Sequence, residues 1–150
     1  MEDVLRSIGK ISRALDAISN IDFQNIDLTK GQYLYLVRIC ENPGIVQGRL
    51  AELVMVDRTT VSQAIKKLVN NGFITRQHSE TNLKNYELYP TAKGTAVYPR
   101  LKRENAYSTD KTLQGFSKAE AQQLATLLER MTVNVNEDWK SVKAGVPRDY

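Results

Sequence analysis

The chain is poor in the residues that build chemistry. Among 150 residues there is one cysteine and one histidine. A lone Cys40 excludes an intrachain disulfide framework and a thiolate metal cluster. His78 has Ser79 and Glu80 beside it, but no cysteine or second histidine stands near it in the sequence. No catalytic group, metal site or cofactor is therefore expected, and an enzyme is not the reading. No apolar run reaches the roughly 18 residues of a membrane span, and no secretory leader is visible, so the expected location is cytoplasmic. What remains is ordinary for a single globular domain: 41% hydrophobic and 25% charged.

Acids are nearly missing from one region. Residues 58–103 hold nine Lys or Arg against only Glu80 and Glu87, a net of +7, while the rest of the chain sums to −3. Cations gathered in this way are the electrostatic footprint of a polyanion binder.

The basic block begins inside the stretch that organises the chain, residues 50–76, LAELVMVDRTTVSQAIKKLVNNGFITR. Asp57 is a good N-cap. Behind it Val61, Ala64, Ile65, Leu68 and Val69 form one apolar helical stripe. Arg58, Thr59, Thr60, Ser62, Gln63, Lys66 and Lys67 make up the other face, with no acid and no large apolar group. Asn70, Asn71 and Gly72 supply the stop. Small hydroxyls allow close approach to a major groove. Gln reads adenine edges, and Arg and Lys read guanine or hold phosphate. The competing reading of the same face is a solvated helix.

The flanks decide between them. A short helix over residues 46–53, with Leu50, Ala51 and Leu53 inward, precedes the central helix and makes a helix-turn-helix. Two β-prone runs follow, Phe73 to Gln77 and Tyr86 to Tyr89, with the polar HSETNLKN between them. This predicts a hairpin wing whose tip carries Lys84 as its cation.

Upstream, Val4, Ile8, Ile11, Leu15 and Ile18 form a heptad-like seam on a first helix over residues 3–19, followed by a loop at Asp22 to Asp27. Thr29 to Gln32 reads as a capping box opening a second helix. Its run from Tyr33 to Cys40 is apolar nearly all round, and Asn42-Pro43-Gly44 ends it. Cys40 reads there as a small buried hydrophobe, not a reactive thiol. Downstream, Thr91 caps a fifth helix running to about 114, which Pro99 should kink or break. Gly115 ends it, and Ser117 to Glu120 is a second capping box. The last helix carries Leu124, Leu127, Leu128, Met131 and Val135, with Trp139 anchoring its end and a frayed tail at 141–150. The seams at the two chain ends predict a homodimer, because helix-turn-helix proteins read two half-sites with two-fold symmetry.

At this point the sequence resembles the MarR family of winged-helix transcription regulators, over roughly residues 1–140. The resemblance is carried by Leu50-Ala51, Val56-x-Arg58-x-Thr60-Val61-Ser62, Ile65-x-x-Leu68 and Gly72-x-Ile74-x-Arg76. Leu28-Thr29-x-x-Gln32 and Thr91-x-x-Gly94 support it. It implies a mainly α fold with a small β-hairpin wing and long N- and C-terminal dimerisation helices. The DNA-binding lobe would span about 28–99 and the dimerisation arms about 1–27 and 100–150. It also implies a recognition helix over about 57–71, a palindromic operator in double-stranded DNA and action as a repressor. A small aromatic or anionic effector would sit between arms and lobe, with Ser12, Tyr33 and Tyr35 as its candidate contacts.

Two departures stand out. The family's wing Asp-x-Arg is Asn82-Leu83-Lys84 here, which replaces a planar fork with a point cation. No cysteine lies on the first helix, so thiol-based peroxide sensing is not expected. The alternative function is a winged-helix module that binds protein and not DNA, which would have no need of a +7 block.

Overall fold

A computed structural model describes residues 3–28 and 31–150. Compactness divides the chain into residues 1–108 and 109–150.

In the first unit, helix α1 (Val4–Phe23) opens where Asp3 accepts the Arg6 backbone N–H at 2.9 Å. It runs past the expected end at 19 and passes into a 3-10 turn, Gln24–Ile26, so the predicted loop at 22–27 is mostly helical. The reason is burial. Phe23 and Leu28 are fully enclosed on either side of the turn, and the Leu28 N–H closes it by donating to the Phe23 carbonyl at 3.4 Å. The capping box expected from Thr29 to Gln32 lies partly outside the described residues. Helix α2 (Gln32–Glu41) follows Gly31, whose φ of +76° suits glycine.

Strand β1 (Ile45–Val46), helix α3 (Gln47–Val54), helix α4 (Arg58–Asn70) and strands β2 (Ile74–His78) and β3 (Tyr86–Pro90) complete the winged lobe. The sheet is antiparallel with order β1-β3-β2. Ile45 faces Leu88 and Val46 faces Glu87 on one side of β3, while Ile74 faces Pro90 and His78 faces Tyr86 on the other. The sequence did not announce β1, because two residues carry no alternation. Its role is to pair an edge of β3 that would otherwise lie open.

The core gathers Leu36 and Ile39 of α2, Leu50 of α3, Val61, Ile65 and Leu68 of α4, and Phe73, Ile74 and Leu88 of the hairpin, all essentially without exposed surface. Two expected core positions are corrected. Leu53 is 50% exposed, and Val54 packs on the core in its place. The stripe of α3 runs through Leu50, Ala51 and Val54, and at 3.6 residues per turn Leu53 falls about 100° from its centre. Val69 is likewise exposed, about a quarter turn off the line of Val61, Ile65 and Leu68. Cys40 is half-buried against this core. Burial, with Glu41 nearby, pushes its thiol up to about 11, which keeps it protonated and inert at neutral pH.

Helix α5 (Ala92–Thr112) is bolted to the base of the wing. The Thr91 hydroxyl donates to the Gly72 carbonyl at 2.6 Å and accepts the Gly94 N–H at 3.2 Å, while the Thr91 N–H donates to the Phe73 carbonyl at 3.0 Å. Gly94 is buried, and a Cβ there would run into the Phe73 carbonyl oxygen. The helix continues through Pro99 without the expected break. Proline removes one N–H and crowds one carbonyl of the preceding turn, and the remaining turns hold.

In residues 109–150, Gly115 takes φ +87° after the end of α5. Helix α6 (Lys118–Lys143) opens on the predicted box: Ser117 Oγ accepts the Glu120 N–H at 3.1 Å and Glu120 Oε2 accepts the Ser117 N–H at 2.7 Å. The helix extends through residue 143, beyond the expected start of a frayed tail at 141. Arg148 pairs with Asp138 at 2.8 Å, and the Val146 N–H donates to the Ser141 carbonyl, so the following residues fold back onto it. No helix among the described residues is long and apolar enough to cross a membrane.

The Thr91–Gly94 junction yields a first test. Gly94→Ala forces a methyl group against backbone that cannot swing away, and overpacking of this kind costs ~1–3 kcal/mol. Chemical denaturation is expected to show that loss with an unchanged m-value. A variant as stable as wild type would show that α5 and the hairpin are not in close register.

Candidate nucleic-acid interface

The outer face of α4 is presented by the burial of its inner face. With Val61, Ala64, Ile65 and Leu68 in the core, Arg58, Thr59, Thr60, Gln63, Lys66 and Lys67 are exposed and Ser62 is half-exposed. All seven residues read from the sequence thus lie off the core.

The start of the helix is tightly built. Asp57 Oδ1 accepts the Thr60 N–H at 2.8 Å and Asp57 Oδ2 accepts the Thr60 hydroxyl at 2.7 Å. These two bonds, backbone first, hold the Asp57 carboxyl below its usual range. They also define what Thr60 can offer a partner. Its hydroxyl hydrogen is engaged, leaving oxygen lone pairs and a methyl group, which suits van der Waals contact with a thymine methyl better than donation.

The connection that aims α4 ends α3 with Met55 in the left-handed region at φ +55°. The Val56 N–H donates to the Ala51 carbonyl and the Met55 N–H to the Glu52 carbonyl. This is the Schellman pattern of a helix end, with methionine where glycine is usual.

The wing is ordered by local bonds. At its tip Asn82 Oδ1 accepts the Lys84 N–H at 3.0 Å, and the Asn85 N–H donates to the Asn82 carbonyl at 3.0 Å. Where the strands enter the tip, the His78 ring lies 4.5 Å from the Tyr86 ring, and His78 Nδ1 bonds the Leu83 carbonyl at 2.9 Å. The Arg76 guanidinium sits 4.3 Å over the face of Tyr86, a geometry that holds a cation at an aromatic surface.

Wing and recognition helix share a cleft of about 330 Å³. Arg58, Arg76 and Lys84 line it, with Ser62, Tyr86 and the start of α3 at Gln47 and Gly48. No side chain caps the first N–H groups of α3, and helix starts of this kind receive phosphate oxygens. Gln47 Oε1 is buried there with no hydrogen-bond partner among the described residues. Arg76, Gln47 and Gly48 were not among the site residues inferred from sequence. Arg76 stood in the basic block, but only the hairpin register turns it toward α4.

The candidate effector residues do not gather. Tyr33 lines a cavity between α1, α2 and α5, whereas Tyr35 is buried in the core and Ser12 is exposed on α1 outside the lining of that cavity.

Comparison with known proteins follows this geometry closely. The MarR family model matches residues 28–86. The uncharacterised HTH-type transcriptional regulator YybA of Bacillus subtilis (strain 168) is 55% identical over the full length of both chains. A MarR family transcriptional regulator from Listeria monocytogenes, crystallised with a 26mer DNA, is 49% identical over all of both chains, with a TM-score of 0.96. The chain belongs to the MarR family. A structure described as the transcriptional regulator SlyA is 56% identical, with a TM-score of 0.91 over 93% of this chain and 99% of its own. As a MarR-family protein the chain is a transcriptional regulator and not an enzyme.

The Asp57 cap sets a pH expectation for this regulator. A carboxyl whose folded pKa is depressed contributes stability that is present above the ordinary carboxylate range and is lost as pH falls through the lowered folded value. Protection of the Thr60 amide, measured against the unstructured exchange rate at the same pH, should therefore fall on acidification below that range, and Asp57→Ala should show low protection there at neutral pH. Equal protection in wild type and variant would mean that the cap does not hold the helix start.

Proposed function

We propose that this MarR-family regulator is a cytoplasmic homodimeric repressor. It binds a palindromic operator in double-stranded DNA through α4 and the wing, and a small effector bound in the cavity between α1, α2 and α5 releases it. The observation that carries the reading is the acid-free outer face of α4 standing beside a cleft with three cations, Arg58, Arg76 and Lys84. The complex of the Listeria relative with a 26mer DNA supports the choice of partner.

Base-edge contacts fall to Arg58, Thr59, Thr60, Ser62 and Gln63. Lys66, Lys67 and Lys84 serve phosphate or base, and Arg76 joins them as a phosphate contact held ready by Tyr86. A planar guanidinium fixed over a ring offers the fork that the wing tip lacks with Lys84.

The arms at about 1–27 and 100–150 would carry the dimer, leaving the lobe at about 28–99 for DNA. None of the α1 residues Val4, Ile8, Ile11, Leu15 and Ile18 is buried, nor are Leu124, Leu128, Met131 and Val135 of α6. Apolar stripes left open at both ends of a chain call for a partner surface.

Two experiments test this. Gln63→Ala is expected to cost ~1–3 kcal/mol at the operator and little on random duplex, the mark of base readout. Arg76→Ala and Lys84→Ala should each lower the log–log salt slope by about one per half-site without altering base preference. Equal losses on both DNAs for Gln63→Ala would reassign it to positioning. Separately, Leu128→Asp should sediment as a monomer with its helical content kept and operator binding lost. A variant that remains dimeric would remove α6 from the interface.

A further inference from the structure

The cavity between α1, α2 and α5 has a volume of about 440 Å³, enough for a compact aromatic molecule. Its apolar wall comes from Leu15, Leu34 and Val37. Its polar wall is unusual in sign. Tyr33 Oη donates to Asp16 Oδ1 at 3.0 Å, Ser19 Oγ donates to Glu104 Oε1 at 3.2 Å, and Ser108 Oγ donates to the same Glu104 oxygen at 2.7 Å. The Tyr33 and Ser108 hydroxyls direct their hydrogens at carboxylates of the wall, and the Ser19 hydroxyl has Glu104 and the Tyr33 oxygen both within reach. What they leave facing the cavity is lone pairs and negative charge.

The two cations along the rim are directed elsewhere. Arg38 Nη1 pairs with Glu41 Oε2 at 2.9 Å, and Lys102 Nζ lies 5.5 Å over the Tyr98 ring. Among the described residues neither Asp16 nor Glu104 has an ion-pair partner. The Tyr33 hydroxyl registers this environment. Burial and, beyond it, the Asp16 and Glu104 carboxylates push it up to about 12 against a lowering bond from Ser19. It therefore stays a neutral donor to Asp16 at physiological pH. An anionic ligand would meet two carboxylates, one exposed and one half-buried, and no free donor from these hydroxyls, and like charges repel.

We propose that this cavity takes a small amine-bearing aromatic cation, its ammonium between Asp16 and Glu104 and its ring against Leu15, Leu34 and Val37. This names the chemical class of the effector site proposed above and rests on that reading. It also reverses the anionic class that resemblance to the family suggested. An ammonium supplies three N–H donors and one positive charge, matching a wall of acceptors.

The test uses isosteric pairs of opposite charge. Tryptamine is compared with indole-3-propionate, and 2-phenylethylamine with 3-phenylpropionate, by calorimetric titration of the full-length protein. The same four compounds are then added to the protein on its operator DNA. Each amine is expected to bind at least tenfold more tightly than its acid and to weaken operator binding. Asp16→Asn and Glu104→Gln keep shape and hydrogen-bond acceptance but remove charge, and each should cost the amine tenfold or more while leaving the acid unchanged or tighter. Tighter binding of the acids would overturn the cationic class and leave an effector site of the opposite sign. Amine binding that survives both substitutions would also overturn it. Amine binding that is charge-dependent but leaves operator affinity unchanged would support the ligand class and sink the effector reading. No binding by any compound would remove both.

Discussion

The candidate interface depends throughout on the way α4 is clamped. Val61, Ile65 and Leu68 have no exposed surface, so the helix cannot rotate about its axis without pulling three large apolar groups into water, at roughly 1.5–3 kcal/mol each. Rotational freedom is thereby removed from the outer face as well, and the cationic and hydroxyl residues are held in one orientation. Such preorganisation is what a reading helix needs, because ordering those side chains on contact would cost affinity. The Asp57 cap and the Schellman end at Met55 fix where the helix begins, and the Phe73 N–H, donating to the Leu68 carbonyl, fixes where it stops.

The wing depends on the same clamp at one remove. Phe73 and Ile74 are buried directly after α4, so the hairpin leaves the core at a set angle. Thr91 and Gly94 then close its far end back onto Phe73 and Gly72. Cations from two different elements, Arg58 on α4 and Arg76 on β2, consequently face one cleft. Their mutual repulsion is tolerated because the cleft is open to solvent and the face of the Tyr86 ring attracts the Arg76 cation. Polyanion binding would relieve that repulsion, which makes the cleft more useful occupied than empty.

Features with a local cause were legible from sequence. Asp57, Thr91 and Ser117 could be read as caps because capping needs only a short acceptor and the next three residues. The α4 stripe could be read because its period is internal. What depended on a distant partner was not legible. Strand β1 exists only because β3 lies beside it, and Met55 takes a left-handed conformation that nothing in its neighbours announces. Leu53 and Val54 are both apolar and adjacent, and only the position of the core distinguishes them. Arg76 was visible as charge, yet its direction comes from pairing with Leu88 across the hairpin. Tyr33 and Tyr35 were read as equivalent. They are two positions apart on a helix, about 200° around it, and so look in nearly opposite directions.

That last separation gives α2 a double duty. One side places Tyr33 in the acidic cavity with Asp16. The other buries Tyr35, Leu36 and Ile39 in the core with α4. Tyr35 stands near enough to the helix start that the Asp57 carboxylate contributes, after burial, to raising its hydroxyl above the ordinary tyrosine value. On the effector reading, a molecule seated at Tyr33 presses on a helix whose back is packed against the reading unit, and no longer route is required. Packed cores shift between discrete arrangements more readily than they deform smoothly. A ligand can bias such a choice only by the difference in its affinity for the two arrangements. A charge held between two carboxylates supplies a steep difference, because Coulomb energy in a partly enclosed site changes sharply with the separation of Asp16 and Glu104. An uncharged occupant of the same volume would fill the cavity with far less leverage over the distance between α1 and α5.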